Sequence, residues 1–132
     1  MIEISMAVVV HQGKILIAQR KKGKHQEFMW EFPGGKLEQG ETLQECVTRE
    51  FMEEFEKEIT VGSFFMDKTF HYDDKGDFHL NAFWATCADD TIPHLYEHED
   101  VKWIAPSEMD NYTFCPADLP FIEGIKHHFG IK

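Results

Sequence analysis

Basic residues are scarce in this sequence: thirteen Lys and Arg stand against twenty-four Asp and Glu, a formal net charge of -11. Such a surface repels a phosphodiester backbone, which argues against a nucleic acid polymer as partner. Cysteine is scarcer still. Cys46, Cys87 and Cys115 are odd in number, widely spaced and without a C-x-x-C pair. Neither a disulfide framework nor a zinc knuckle is indicated, and reduced thiols in a cytoplasmic protein are expected. Long hydrophobic runs are missing too: the apolar stretch from Met6 to Val10 is too short to cross a membrane and follows Glu3 rather than a basic segment, so neither a membrane partner nor a signal peptide is expected. Eight histidines supply no H-E-x-x-H spacing. His94 and His98 are four apart, but Pro93 and a loop-like composition leave no helical metal-binding pair.

What is present is enough for one globular domain, residues 1–132. The chain is 42% hydrophobic and 14% aromatic with twelve Phe, and no repeat or low-complexity tract interrupts it. Residues 4–10 and 14–20 are β-rich and flank His11-Gln12-Gly13, the pattern of a hairpin. Residues 21–27 read as a polar loop and residues 29–32 as a brief strand before Pro33-Gly34-Gly35, which is expected to break regular structure. Thr42 and Glu45 fit a capping box, predicting a helix to about Glu56. A long strand pair, residues 59–72 and 78–87, surrounds a turn at 73–77. A short strand at 101–105, one helical turn at 106–110 and a final helix over 116–129 complete the pattern. Strands and helices that do not alternate one for one indicate an α+β or mixed α/β sandwich, with helices covering sheet faces.

The segment Arg49-Glu50-Phe51-Met52-Glu53-Glu54-Phe55-Glu56-Lys57-Glu58 is at odds with simple packing. At about 100° per residue, Leu43, Val47, Glu50 and Glu54 fall within about 60° on one helix face, so an apolar stripe is expected to turn acidic. Like charges three and four residues apart repel, and carboxylates near a helix C-terminus oppose its dipole. A divalent cation removes both difficulties. Magnesium prefers oxygen ligands and bridges one or two carboxylates to substrate phosphates, with manganese a substitute.

The spacing is specific. Gly35, Glu41 and Arg49-Glu50-Phe51-Met52-Glu53-Glu54 closely resemble the G-x5-E-x7-R-E-U-x-E-E core of the Nudix box, here about residues 35–57, and Trp30-Glu31-Phe32-Pro33-Gly34-Gly35-Lys36 resembles the lead-in of MutT-type and CTP pyrophosphohydrolase-like members. The resemblance extends over nearly the whole chain. It implies the Nudix fold, an α/β/α sandwich with a mixed sheet and a loop-helix-loop box. It also implies hydrolysis of nucleoside triphosphates to monophosphate and pyrophosphate, either oxidised or modified ones such as 8-oxo-dGTP, or CTP and 5-methyl-dCTP. A non-catalytic nucleotide-sensing module is the alternative of another class, and the intact glutamates argue against it. One departure stands out: Glu56 and Lys57 replace the family's Gly and apolar residue, so a longer or strained helix exit is expected.

By this resemblance the metal ligands are the Gly34 carbonyl, Glu50, Glu53, Glu54 and Glu97, and the three box glutamates are expected to converge on one point. Arg49 orients the carboxylates. Either Glu50 or Glu97 takes the proton from water. Arg20 contacts phosphate or sugar. The Phe32 backbone, Asp118 and an aromatic from Phe70, Tyr72 or Phe83 are expected at the base, although Asp118 equally suits the first turn of a helix and accepts from cytosine or guanine alike. Monomer and homodimer are both compatible with the sequence.

Overall fold

The computed structural model describes residues 1–131. Strands β1 (Ile2–His11) and β2 (Lys14–Arg20) form the expected hairpin. Its two-residue connection places both Gln12 (φ 49°) and Gly13 (φ 78°) in the left-handed region, the geometry whose twist matches that of the flanking strands. After β3 (Trp30–Glu31), Gly34–Lys36 forms β4. The Pro-Gly-Gly segment was expected to be irregular. Gly34–Lys36 is instead in register with β1, Ile4 to Met6 facing Lys36 to Gly34, because Gly34, without a Cβ, fits against the backbone of Ser5 and Met6. Helix α1 (Leu43–Phe55) has the predicted capping box at Thr42 and Glu45. The strands β5 (Thr60–Tyr72), β6 (Gly76–Thr86) and β7 (His98–Ile104) follow. The last helix is shorter than expected: a 3₁₀ turn, Pro116–Asp118, precedes α2 (Leu119–His128).

The sheet runs β3-β2-β1-β6-β5, with β4 beside β1 and β7 beside β2. Strand β1 pairs in parallel with β6 over Ile2 to Val9 but meets β2 only at Val10 and His11, so the two hairpin strands separate toward the start of β1. Alternation along β1 assigns each side chain to a face. Met6 and Val8 join Ile15, Ile17 and the α2 residues Phe121, Ile122 and Ile125. Ala7 and Val9 join Leu16, Ala18 and the α1 residues Val47, Phe51 and Phe55. The result is a mixed sheet between two helices.

The stripe of α1 is rotated from its expected position. Val47, Phe51 and Phe55, four residues apart and fully buried, keep the core face apolar throughout. Glu50 and Glu54 border it on one side, so the helix serves the core and the acidic edge simultaneously.

Lys57, in place of an apolar residue, is also buried. Its Nζ donates to Asp89 O at 2.8 Å and Thr91 O at 2.7 Å and pairs with Asp89 Oδ1 at 3.1 Å. The aliphatic stem fills apolar space while the ammonium ties down the chain after β6. Truncation by Lys57→Ala removes these three contacts together with the buried stem and is expected to cost about 3 kcal/mol, read as a lowered denaturant midpoint.

Candidate active site

A cleft of about 440 Å³ opens where β1 and β2 part, bounded by β1, β3, β4, the end of α1, Tyr72 of β5, the start of β7 and the 3₁₀ turn before α2. Its polar lining comes from separate chain segments: Arg20, Glu31, Glu54, Glu97, His98 and Asp118 all reach it.

On the α1 side, Arg49 is the hub. Its Nε and Nη2 hold Glu41 at 3.0 and 2.7 Å, its Nη1 reaches Glu50 at 3.0 Å and Glu53 at 3.1 Å, and Nη2 also donates to Lys36 O at 3.1 Å. The guanidinium hydrogen bond holds the Glu41 pKa down at about 2. Burial pushes Glu50 above the ordinary carboxylate range despite Arg49. Glu54 projects the other way, into the cleft, and its Oε2 is buried without a hydrogen-bond partner. Burial, reinforced by Glu50, Glu31, Glu97 and Glu53, raises its pKa to about 9.

The three box carboxylates therefore do not converge as expected. Among the described residues, the one group of three potential ligand atoms within 4.8 Å of one another is Glu31, Cys115 and Asp118. Arg49 draws Glu50 and Glu53 to itself while Glu54 stands apart. Gly35 is in contact with this set, since a Cβ there would lie 2.2 Å from Glu50 Cδ. The Gly34 backbone borders the cleft. The donor set fits a hard divalent cation: oxygens predominate, and a buried orphan carboxylate oxygen needs a positive partner to ionise.

On the facing wall, Arg20 Nη1 donates to Glu31 Oε1 at 2.9 Å and Arg20 Nε to His25 O at 2.6 Å. Glu31 Oε2 lies 2.8 Å from His98 Nε2. Burial alone would raise the Glu31 pKa, but His98 and Arg20 outweigh it and hold it below the ordinary value. Glu97 reaches across to Lys24, 2.9 Å away, and this hydrogen bond lowers its pKa. Asp118 is buried, and burial near Glu31 keeps it protonated well above the ordinary carboxylate range. It makes no side-chain cap to α2, which disfavours the helix-dipole role. The Phe32 ring stacks on Phe114 in the core. Of the three aromatics expected at the base, Tyr72 lines the cleft, while Phe83 packs on Phe64 and Phe70 on Tyr72.

Sequence reasoning missed Glu31 and His98 as a unit. Glu31 was visible only as part of the Trp30 to Lys36 segment, and nothing local in the sequence pairs it with a residue 67 positions away.

The helix exit is strained as expected. Glu56 takes a left-handed conformation, φ 53° and ψ 35°, its N–H donating to Met52 O at 3.0 Å. Its side chain offsets the strain: Glu56 Oε1 accepts from Tyr96 Oη at 2.6 Å, and His94, stacked on Tyr96, stands 3.4 Å from Oε2. The backbone of His94 and Tyr96 donates to Phe55 O and Glu54 O. The segment leading to Glu97 is thus fastened to the end of α1. Glu56→Gly relieves about 1 kcal/mol of backbone strain while releasing the clamp. The expected outcome is little change in global stability, with faster amide exchange at residues 94–97.

The chain is similar to known proteins over nearly its whole length. The NUDIX domain model matches residues 1–125. A protein named CTP pyrophosphohydrolase, from Escherichia coli K12, is 35% identical over 123 residues, covering 93% of this chain and 90% of its own length. The 8-oxo-dGTP diphosphatase of the same organism is 29% identical over 127 residues, covering 95% and 96%. Among solved structures, the E. coli ORF135 protein superposes with a TM-score of 0.80 at 33% identity, covering 96% of this chain and 89% of that one.

Proposed function

The chain belongs to the Nudix family of hydrolases, and we propose that it cleaves (deoxy)nucleoside triphosphates, oxidised or modified ones such as 8-oxo-dGTP included, to monophosphate and pyrophosphate with Mg²⁺ as its cation. The observation that carries this reading is Glu54: a carboxylate buried at the cleft wall with an unpartnered oxygen, on a helix whose Glu50 and Glu53 are held by Arg49.

In this reading the Gly34 carbonyl, Glu50, Glu53, Glu54 and Glu97 would hold the cation, which would supply neutralisation of phosphate oxygens and a more acidic attacking water. Arg49 orients Glu50 and Glu53 through its Nη1. Arg20 lies at the cleft for a phosphate or sugar contact. As water forms its bond to phosphorus and the bridging P–O bond breaks, a carboxylate takes the proton. Glu50 suits this better than Glu97, because burial raises its pKa toward working pH whereas Lys24 depresses that of Glu97. The base would lie by Tyr72, the Phe32 backbone and Asp118. Burial pushes the Asp118 pKa up, and in its acid form the carboxyl both donates and accepts, which complements either a guanine-type or a cytosine edge.

The 35% identical relative named CTP pyrophosphohydrolase supports a second reading, CTP or 5-methyl-dCTP as substrate. A kcat/KM panel of 8-oxo-dGTP, dGTP, CTP, dCTP and 5-methyl-dCTP separates the two. The first reading expects 8-oxo-dGTP to lead, and a wide margin for CTP or a cytosine deoxynucleotide overturns it. Tight nucleotide binding with no turnover across the panel would leave a nucleotide sensor.

A further inference from the structure

Two buried side-chain polar atoms lack a hydrogen-bond partner among the described residues, Glu54 Oε2 and His98 Nδ1. They belong to facing residues: His98 Nδ1 is 4.0 Å from Glu54 Oε1. Buried polar atoms are nearly always paired, so an orphan on each of two facing side chains needs an explanation. The imidazole is not adrift. It stacks on Phe55, 5.3 Å between centroids at 15°, while Nε2 is held by Glu31 at 2.8 Å, which in turn takes Arg20 at 2.9 Å. The ring is therefore fixed with its second nitrogen aimed at Glu54, and an adjustment of about 1 Å would complete the hydrogen bond.

We infer that His98 is a positioning residue, which donates through Nδ1–H to the Glu54 carboxylate, orienting it toward the divalent cation, and through Nε2–H to Glu31, which ties that carboxylate to Arg20 in the nucleotide cleft. This rests on the reading of Glu54 as a metal ligand. One carboxylate oxygen then serves the cation and the other His98, which leaves neither orphan unpaired. A continuous path of Arg20, Glu31, His98 and Glu54 joins the nucleotide side of the cleft to the cation side. Outer partners of this kind typically change metal affinity 10- to 100-fold.

The two nitrogens make different predictions. Asn places its amide near the Nδ1 position and Gln near Nε2, while Phe keeps the stacking on Phe55 and loses both. Mn²⁺ binding to the full chain, followed by electron paramagnetic resonance, reads the metal side without turnover. His98→Phe is expected to weaken Mn²⁺ binding about 10- to 100-fold and to lower kcat. His98→Asn is expected to restore Mn²⁺ binding to within about threefold of wild type while raising KM for the nucleotide, and His98→Gln to spare KM but not Mn²⁺ binding. If His98→Phe does not fold, the contrast between Asn and Gln still decides. Unchanged Mn²⁺ affinity in the folded variants, or identical behaviour of Asn and Gln, overturns the inference alone. A wild-type chain that binds no Mn²⁺ sinks the metal reading of Glu54 and this inference with it.

Discussion

Glu54→Gln is expected to lower kcat by about 10³-fold while leaving the protein folded, because several kcal/mol of transition-state stabilisation depends on the cation this carboxylate holds. The same substitution has a second signature. In chelator, Glu54 binds its proton far more tightly in the folded chain, with a pKa of about 9 against an ordinary 4.5. The folded state then holds more protons than the unfolded state between these values, so stability falls as pH rises from about 4.5 to about 9. The loss is on the order of several kcal/mol for so buried a group. An uncharged amide removes that dependence. Thermal unfolding across this range should show a steeper decline for wild type than for Glu54→Gln, and added divalent cation should stabilise wild type at the alkaline end. Parallel pH profiles would show that Glu54 is not the buried carboxyl described here.

Gly34→Ala and Gly35→Ala should have opposite effects although the residues are adjacent. A Cβ on Gly34 would lie 2.1 Å from Ser5 O and 2.7 Å from Met6 Cα, both backbone atoms that cannot move aside. Strand β4 would have to leave β1, and a loss of about 3 kcal/mol or more is expected, read as a large drop in denaturant midpoint. On Gly35 the new Cβ would meet only the Glu50 carboxylate, at 2.2 to 2.5 Å. That group sits at the end of a flexible side chain and will be displaced, so the fold survives while kcat falls about 100-fold through misplacement at the site. Equal loss of stability in both variants would contradict the close β1-β4 packing.

The features legible in the sequence were those written locally. The Thr42 capping box, the Gln12-Gly13 turn, the long β5-β6 pair and the Nudix spacing from Gly35 to Glu54 all lie within short windows. The strand at Gly34–Lys36 escaped because its glycines read as breakers, whereas Gly34 lets β4 approach β1 and Gly35 leaves room for the Glu50 carboxylate. The α1 stripe was misplaced because Glu50 and Glu54 share an arc with Val47, and only tertiary packing chose Phe51 and Phe55 for the core. The helix exit shows the reverse. Glu56 was noticed as an anomaly, but its partners Tyr96 and His94 lie about forty residues on. His98 likewise acquires meaning only when β7 brings it between Glu31 and Glu54.

The most direct test of a metal-dependent pyrophosphohydrolase at this cleft is the product balance of triphosphate hydrolysis with Mg²⁺, resolved by ion chromatography for wild type and Glu54→Gln. One pyrophosphate and one nucleoside monophosphate per turnover are expected, with turnover abolished by chelator and reduced about 10³-fold in the variant. Orthophosphate with nucleoside diphosphate, or full turnover in Glu54→Gln, would contradict this.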